Sequence, residues 1–510
     1  MNDHTYLHLA LVAVLLLYGV FSSRLSSRLN MPVLLLFLGA GMVLGRHVDM
    51  DFSIAADPSV KFANVIGTVA MAFILYSGGL ETNFRSIRKI LVPGVLLSTL
   101  GVFLTAGILA LGVHFILGWS PEWSLLLGSV VASTDAAAVF AILRSKGVGL
   151  RGNLASVLEL ESGSNDPMAA LMTIFMVSLL KSPDTTSLWS LAWLFPVKML
   201  VGVICGFGIG KGGCWLFNKA KLDYEGLYFV LGIALVLFAY GVTEILYGNG
   251  FMAAYCTGLT MGNSRYNYKK SQIRINNGLA WLMQVAMFTV LGMLVNLSDL
   301  IAVPADGWYK SVWLRGLLLA MVLMFVARPA AVFLCLIKSQ FSIRERLLVS
   351  WVGLRGAAPI VLATFPLAAH LSGNGSESAG TLFNLVFCMV IASVIIQGRT
   401  LMPFARKLQL DSPLSGRERM PLELEDTGAL SHVTHEFDIF CDSPCLNKTL
   451  AELKLPGGAW VMLIRRNNSF VMPRGDTQIQ LNDSLMVMAD SHVMGKIAEE
   501  YFPGNDYYQE

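Results

Sequence analysis

Thirteen apolar runs dominate the chain, at roughly 6–22, 31–46, 61–79, 91–117, 123–143, 154–180, 191–211, 226–246, 250–263, 277–296, 312–337, 347–369 and 379–398. About 20 apolar residues carry a helix across the hydrocarbon of a bilayer. In lipid every backbone polar group has to be satisfied within the chain, which leaves helices or a closed barrel. Runs of this length predict an α-helical polytopic membrane protein of about 13 transmembrane helices. Charged residues make up 14% of the chain and mean hydropathy is +0.61, where a soluble domain carries about 25% charged residues. A net charge of +3 gives no basic field for nucleic acid. The seven cysteines are scattered and show no metal-ligand spacing.

The placement of Lys and Arg tests the span count independently, because cytoplasmic loops concentrate them. Alternate connections hold 21 of these residues, such as Arg24 and Arg28, Arg85, Arg88 and Lys89, or Arg344 and Arg346. The opposite connections hold four: Arg46, Lys61, Lys181 and Lys310. This alternation predicts an amino terminus outside and a carboxyl terminus in the cytoplasm. No basic region precedes the first run, so that run reads as a retained helix and not a cleaved signal.

Composition changes after Arg399. Residues 1–405 form the expected membrane domain and 406–434 a linker, polar from 411 onward. Residues 435–502 read as a small soluble α/β domain and 503–510 as a tail. Within the domain, strands are expected at His435–Phe440, Trp460–Arg465 and Ser484–Ala489, with helices at Asn447–Leu453 and Ser491–Tyr501.

Two acids lie where lipid disfavours them, Asp135 in Ser133-Thr134-Asp135-Ala136 and Asp166 in Gly163-Ser164-Asn165-Asp166-Pro167. An ionised group at bilayer depth costs at least ~2.5–3.5 kcal/mol and so faces water, a partner or a transported ion. Span five carries Ser133-Thr134-Asp135 at its middle, and span twelve carries Gly353-Leu354-Arg355-Gly356-Ala357-Ala358-Pro359, about 220 residues later. Paired interrupted helices in the two halves of a membrane domain point to a transporter site. Unwinding frees carbonyls for a cation, and Asp135 and Arg355 can neutralise opposite helix ends. A packing kink is the bland alternative. In span six, Ser162 and Asp166 are four apart and share a helical face. Burial favours the neutral form of a carboxyl group, so Asp166 could hold either a proton or a cation. A structural ion pair is the alternative, and it is the better reading for Glu161, whose candidate partners are Arg328 and Arg355.

Glu161 with Gly163-Ser164-Asn165-Asp166-Pro167, Ser133-Thr134-Asp135, Ala327-Arg328-Pro329 and Gly353-Leu354-Arg355-Gly356-Ala357 together resemble the monovalent cation:proton antiporter family, the sodium or potassium/proton exchangers. The resemblance implies inverted repeats, two broken crossing helices and a homodimer with an elevator-like core. By its motif Asp166 would carry cation and proton, Asn165 beside it would mark electroneutral exchange, and Thr134, Asp135 and Ser162 would complete the site. Glu161 would pair with Arg328 first, Arg355 second. Two departures stand out. Ala136 replaces the usual proline after Thr-Asp, and Ser77 stands where the third span often has an acid.

Gly458–Arg466, Val471–Thr477 and Leu481–Val487 resemble the TrkA-C regulatory domain of potassium transport systems. That likeness implies a module able to bind a nucleotide or other small effector, and it favours potassium as the cation. The expected function is electroneutral potassium (or sodium)/proton antiport in a bacterial inner membrane. The alternatives are a sodium-selective antiporter and a potassium channel gated by the module, though no Thr-Val-Gly-Tyr-Gly filter is present. No nucleophile–base arrangement points to an enzyme.

Overall fold

The computed structural model describes residues 33–45, 57–88, 90–182, 188–222, 224–295, 300, 311–373, 377–413, 432–439, 443–466, 469–481 and 483–502, with scattered positions between 6 and 22. They fall into two compact units. The first holds Met1–Gly213, Phe229–Asn263 and Ile273–Leu414, and the second Cys214–Tyr228, Ser264–Gln272 and Ser415–Glu510.

The first unit is helical. Its elements are α1 (Val33–Leu44), α2 (Asp57–Glu81), α3 (Leu91–Leu117), α4 (Pro121–Val131), α5 (Ala136–Ser145), α6 (Leu154–Lys181), α7 (Leu188–Lys219), α8 (Glu225–Ile245), α9 (Gly250–Gly262), α10 (Lys269–Met293), α11 (Val312–Cys335), α12 (Ile343–Trp351), α13 (Ala358–Ala368) and α14 (Ala379–Lys407). Helices α7, α8 and α10 run on into the second unit. Among the described residues eight helices are long and apolar enough to cross a membrane, α4 with α5 being taken as one, and two shorter apolar helices accompany them. The first apolar run lies partly outside the described residues.

Spans five and twelve are the interrupted ones: α4 and α5 flank one break, α12 and α13 the other. Both breaks follow from local chemistry. Ser, Thr and Asp side chains compete for backbone hydrogen bonds inside a helix. Asp135 Oδ1 accepts from Ala138 N at 3.1 Å and so caps α5. The break therefore forms with Ala136 in place of a proline. At the second break Gly353 and Gly356 weaken the helix, and Pro359 suits the first turn of α13 because its missing N–H would be unpaired there.

Close packing uses the small-residue stripe of α7. A side-chain carbon at Gly202, Gly206 or Gly210 would press on Asn249 O, on Ala253 and Cys256, or on Thr260 of the α9 segment. This spacing serves helix contact within one protomer.

Helix α14 runs nine residues beyond the expected end of span thirteen, through Arg399 and Pro403 to Lys407. The chain then forms β2 (Asp411–Pro413), which pairs antiparallel with β1 (Val148–Leu150), the strand that follows α5. Arg151 N extends the ladder to Leu410 O at 3.0 Å. Residues 411–413, expected in the linker, are thus tied to the membrane unit.

In the second unit a four-stranded antiparallel sheet has the order β3-β6-β4-β5, with β3 His432–Asp438, β4 Trp460–Arg466, β5 Ser469–Val471 and β6 Ser484–Asp490. The four-residue α15 (Leu450–Leu453) carries a Thr449–Glu452 capping box, and α16 (Ser491–Tyr501) closes the domain. Its core gathers Phe437, Ile464, Leu485, Val487, Ile497 and Phe502. The rings of Phe437 and Phe502 stack at 4.4 Å. Asp483 is fully buried and takes both contacts from Arg466, at 2.9 and 2.8 Å. The expected helix from Asn447 shrinks to one turn, and the sequence reading held no strand at β5.

Candidate functional site

The two breaks meet. Asp135 N donates to Leu354 O at 2.8 Å, joining backbone to backbone. Gly356 lies so close to Asp135 that a side-chain carbon there would sit 2.6 Å from Asp135 Cβ. Arg355, 1% exposed, donates through Nη1 to Ala132 O at 2.6 Å and to Ser133 O. It thus places positive charge on the carbonyl end of α4, where cations are stabilised. Asp135 places negative charge on the amide end of α5. Each break supplies the side chain that neutralises a helix terminus.

Helix α6 closes the third side. Ser162 Oγ donates to Thr134 O and accepts from Ala136 N, both at 3.0 Å, and so bridges the two ends of the first break. Asn165 is fully buried and donates to Thr134 Oγ1 at 2.6 Å. Asn165 Oδ1 and Asp166 Oδ1 are buried with no hydrogen-bond partner among the described residues, as are Nε and Nη2 of Arg355. Buried polar atoms are almost always paired, so such atoms call for an ion or water.

Asp166 borders a cavity of about 150 Å³. Its wall includes Ser133, Thr134 and Asp135 from the first break, Ser162 and Asp166 from α6, and Gly356 to Pro359 from the second. About 10–15 Å³ of such space holds one water, so a partly hydrated monovalent cation fits. Asn165, Glu161, Arg328 and Arg355 do not line it. Asn165 reaches the cavity only through the Thr134 hydroxyl.

Glu161 and Arg328 form a two-contact pair, Nη1 to Oε1 and Nη2 to Oε2, the latter at 2.9 Å. The side chains are 2% and 4% exposed. Arg328 closes a π-helical turn at Leu323–Ala327, precedes Pro329, and also donates to Val349 O of α12 at 3.3 Å. Arg355, the second candidate partner, spends its Nη1 on the carbonyls of the first break instead.

Opposite the breaks, α2 and α9 contribute residues that sequence reasoning missed. Tyr255 and Glu81 reach the cavity wall. Ser77 donates to Asn277 Oδ1 at 2.6 Å, and Asn277 donates to Glu81 Oε1 at 2.5 Å. The position lacking an acid is thus filled by a neutral chain leading to an acid one turn along α2. Asn249 Nδ2 donates to Pro167 O at 2.8 Å while its Oδ1 caps α9, which pins α9 against α6. The i, i+4 spacing of Ser77 and Glu81 was the one available signal.

A family model for the transmembrane sodium/hydrogen exchanger matches residues 11–407, and one for the TrkA-C domain matches 435–501. The chain is 36% identical over 485 residues to the K(+)/H(+) antiporter NhaP of Alkalimonas amylolytica, covering 94% of this chain and 81% of that one. It is 36% identical over 490 residues to the K(+)/H(+) antiporter NhaP2 of Shewanella sp. strain ANA-3, covering 93% and 80%. The sodium proton antiporter MjNhaP1 from Methanocaldococcus jannaschii shares the fold, with TM-score 0.66 and 23% identity over 79% of this chain and 99% of that one. The chain belongs to the sodium/hydrogen exchanger family and carries a TrkA-C domain after its membrane region.

Proposed function

We propose that the protein exchanges cytoplasmic potassium for protons across a bacterial inner membrane, one for one. The observation that carries the reading is the cavity at the crossing of the two breaks, into which Asp166 projects with an unpaired buried oxygen. Asp166 binds either a proton or the cation, and this competition couples the two fluxes. Ser162 and the Thr134 hydroxyl offer neutral oxygen ligands suited to a hard cation. Asp135 stays ionised against the amide end of α5. Asn165 orients Thr134 through its side-chain amide. Glu161 and Arg328 brace α6 against α11 and α12.

Only Asp166 changes occupancy in this scheme, so the exchange moves no net charge. Potassium is favoured by the relatives at 36% identity, named as K(+)/H(+) antiporters over most of the chain. The TrkA-C domain would bind a small effector and set activity, and two copies of the chain would form the working dimer. Inverted membrane vesicles carrying an acid interior test the reading. Potassium is expected to collapse the pH gradient, with sodium, lithium and rubidium compared alongside. A response to sodium and lithium alone overturns the potassium assignment, and no response to any of the four overturns antiport.

A further inference from the structure

Helix α14, the last helix of the membrane unit, carries three polar residues on one face: Ser393, Gln397 and Thr400, spaced i, i+4 and i+7. Ser393 is fully buried and Gln397 is 1% exposed. Besides the bonds of Thr400 to carbonyls of its own helix, they form a chain that runs to the second break. Arg355 N donates to Ser393 Oγ at 3.2 Å. Ser393 Oγ donates to Gln397 Oε1 at 2.6 Å. Gln397 Nε2 donates to Trp351 O, the last helical carbonyl of α12, at 3.0 Å. Trp351 Nε1 donates to Thr400 Oγ1 at 3.0 Å.

The chain of donors has one workable direction. Turning the Gln397 amide over would set two carbonyl oxygens face to face at Trp351. So α14 holds the break at two points, its carbonyl end through Gln397 and the Arg355 amide within it through Ser393. Between them sits Leu354, whose carbonyl accepts from Asp135 N at 2.8 Å. The guanidinium of Arg355 in turn reaches the carbonyls of Ala132 and Ser133. The position of the Arg355 backbone therefore sets the positions of Asp135 and Thr134 at the cavity wall.

We infer that Ser393 and Gln397 are positioning residues of the ion site: they touch no ion, and they set cation affinity by fixing the Trp351–Arg355 backbone. The inference rests on the antiport reading above. It also gives α14 a direct hold on the ion site from the helix that precedes the module.

The experiment compares wild-type, Ser393→Ala, Ser393→Thr and Gln397→Met full-length chains in inverted vesicles, titrating potassium and reading half-saturation apart from maximal rate. Ser393→Ala removes the acceptor for Arg355 N, and Gln397→Met removes the cap on Trp351. Each is expected to raise half-saturating potassium by about threefold to tenfold, the worth of one net hydrogen bond. Ser393→Thr keeps the hydroxyl and is expected to restore the wild-type value. A chain that only stabilises the fold would lower the amount of protein and the maximal rate while leaving half-saturation alone, and that result overturns the inference. Where Ser393→Ala fails to accumulate, Gln397→Met decides alone, because it leaves the Arg355 bond intact. A wild-type chain that moves no cation sinks the antiport reading, whereas active variants with unchanged half-saturation sink only this inference.

Discussion

Replacing Glu161 by Gln tests how the membrane unit carries its buried charge. The change keeps the size of the side chain and one carbonyl acceptor. It turns the second oxygen into an NH₂ that faces the guanidinium of Arg328. Arg328 is then left charged, 3% exposed, with the Val349 carbonyl at 3.3 Å as its other acceptor. Its Nε already lacks a partner among the described residues. Breaking a buried pair from one side costs about 3–5 kcal/mol because a buried charge loses its compensation. The retained carbonyl places this case near the lower end, about 3 kcal/mol, which is on the order of a hundredfold in the folding equilibrium at 1.4 kcal/mol per factor of ten. In a chain of this size a loss of that order lowers the melting temperature by roughly 3 °C. The assay is thermal unfolding of detergent-purified protein, with the double variant Glu161→Gln/Arg328→Met beside it. The double variant removes the stranded charge, so it is expected to melt above the single one. If Glu161→Gln melts with the wild type, or if adding Arg328→Met lowers stability further, the pair does not stabilise the core as argued.

Gly356→Ala is expected to cut exchange more than about tenfold while leaving the module folded, since the new carbon would lie 2.6 Å from Asp135 Cβ and small misplacements at a site are costly; vesicle exchange and circular dichroism check this. A chain ending after Leu414 retains the β1–β2 pairing and is expected to exchange at close to the wild-type maximal rate with an altered effector response. One ending after Lys407 loses β2, frees the strand that follows α5, and is expected to be slower and less heat-stable in the same assays. Under an imposed membrane potential the end point of exchange in proteoliposomes is expected to stay unchanged, and a shifted end point would make Asp135 a second proton carrier.

Asp135 and Asp166 could be picked out of the chain because the bilayer makes an acid in an apolar run conspicuous. The two breaks could be placed because Ser-Thr-Asp and a Gly/Pro-rich stretch both interrupt helical hydrogen bonding. What joins them was not legible. The Asp135 N–H to Leu354 carbonyl bond is main chain to main chain and leaves no trace in side-chain identity. Asn165 stands beside Asp166 in sequence, yet its amide turns to Thr134, a matter of rotamer and neighbouring helix. Ser393 and Gln397 look like isolated polar residues until the Trp351 carbonyl is placed against them. Strand β2 is three residues long inside a stretch of linker composition, and only its partner β1 makes it a strand. Helix α14 outruns its expected end because Gln397-Gly398-Arg399-Thr400 interrupts the apolar run, whereas the helix continues and buries Leu401 and Ala405.

The central claim is that one carboxyl group carries both proton and cation. Purified wild-type and Asp166→Asn protein in proteoliposomes, with a pH dye inside and a potassium gradient imposed, test it most directly. The wild type is predicted to move protons against potassium, and Asp166→Asn to move none while keeping the wild-type melting curve, because the amide retains the shape but neither binds a proton nor neutralises a cation. Potassium-driven proton movement by Asp166→Asn at the wild-type rate would contradict the account.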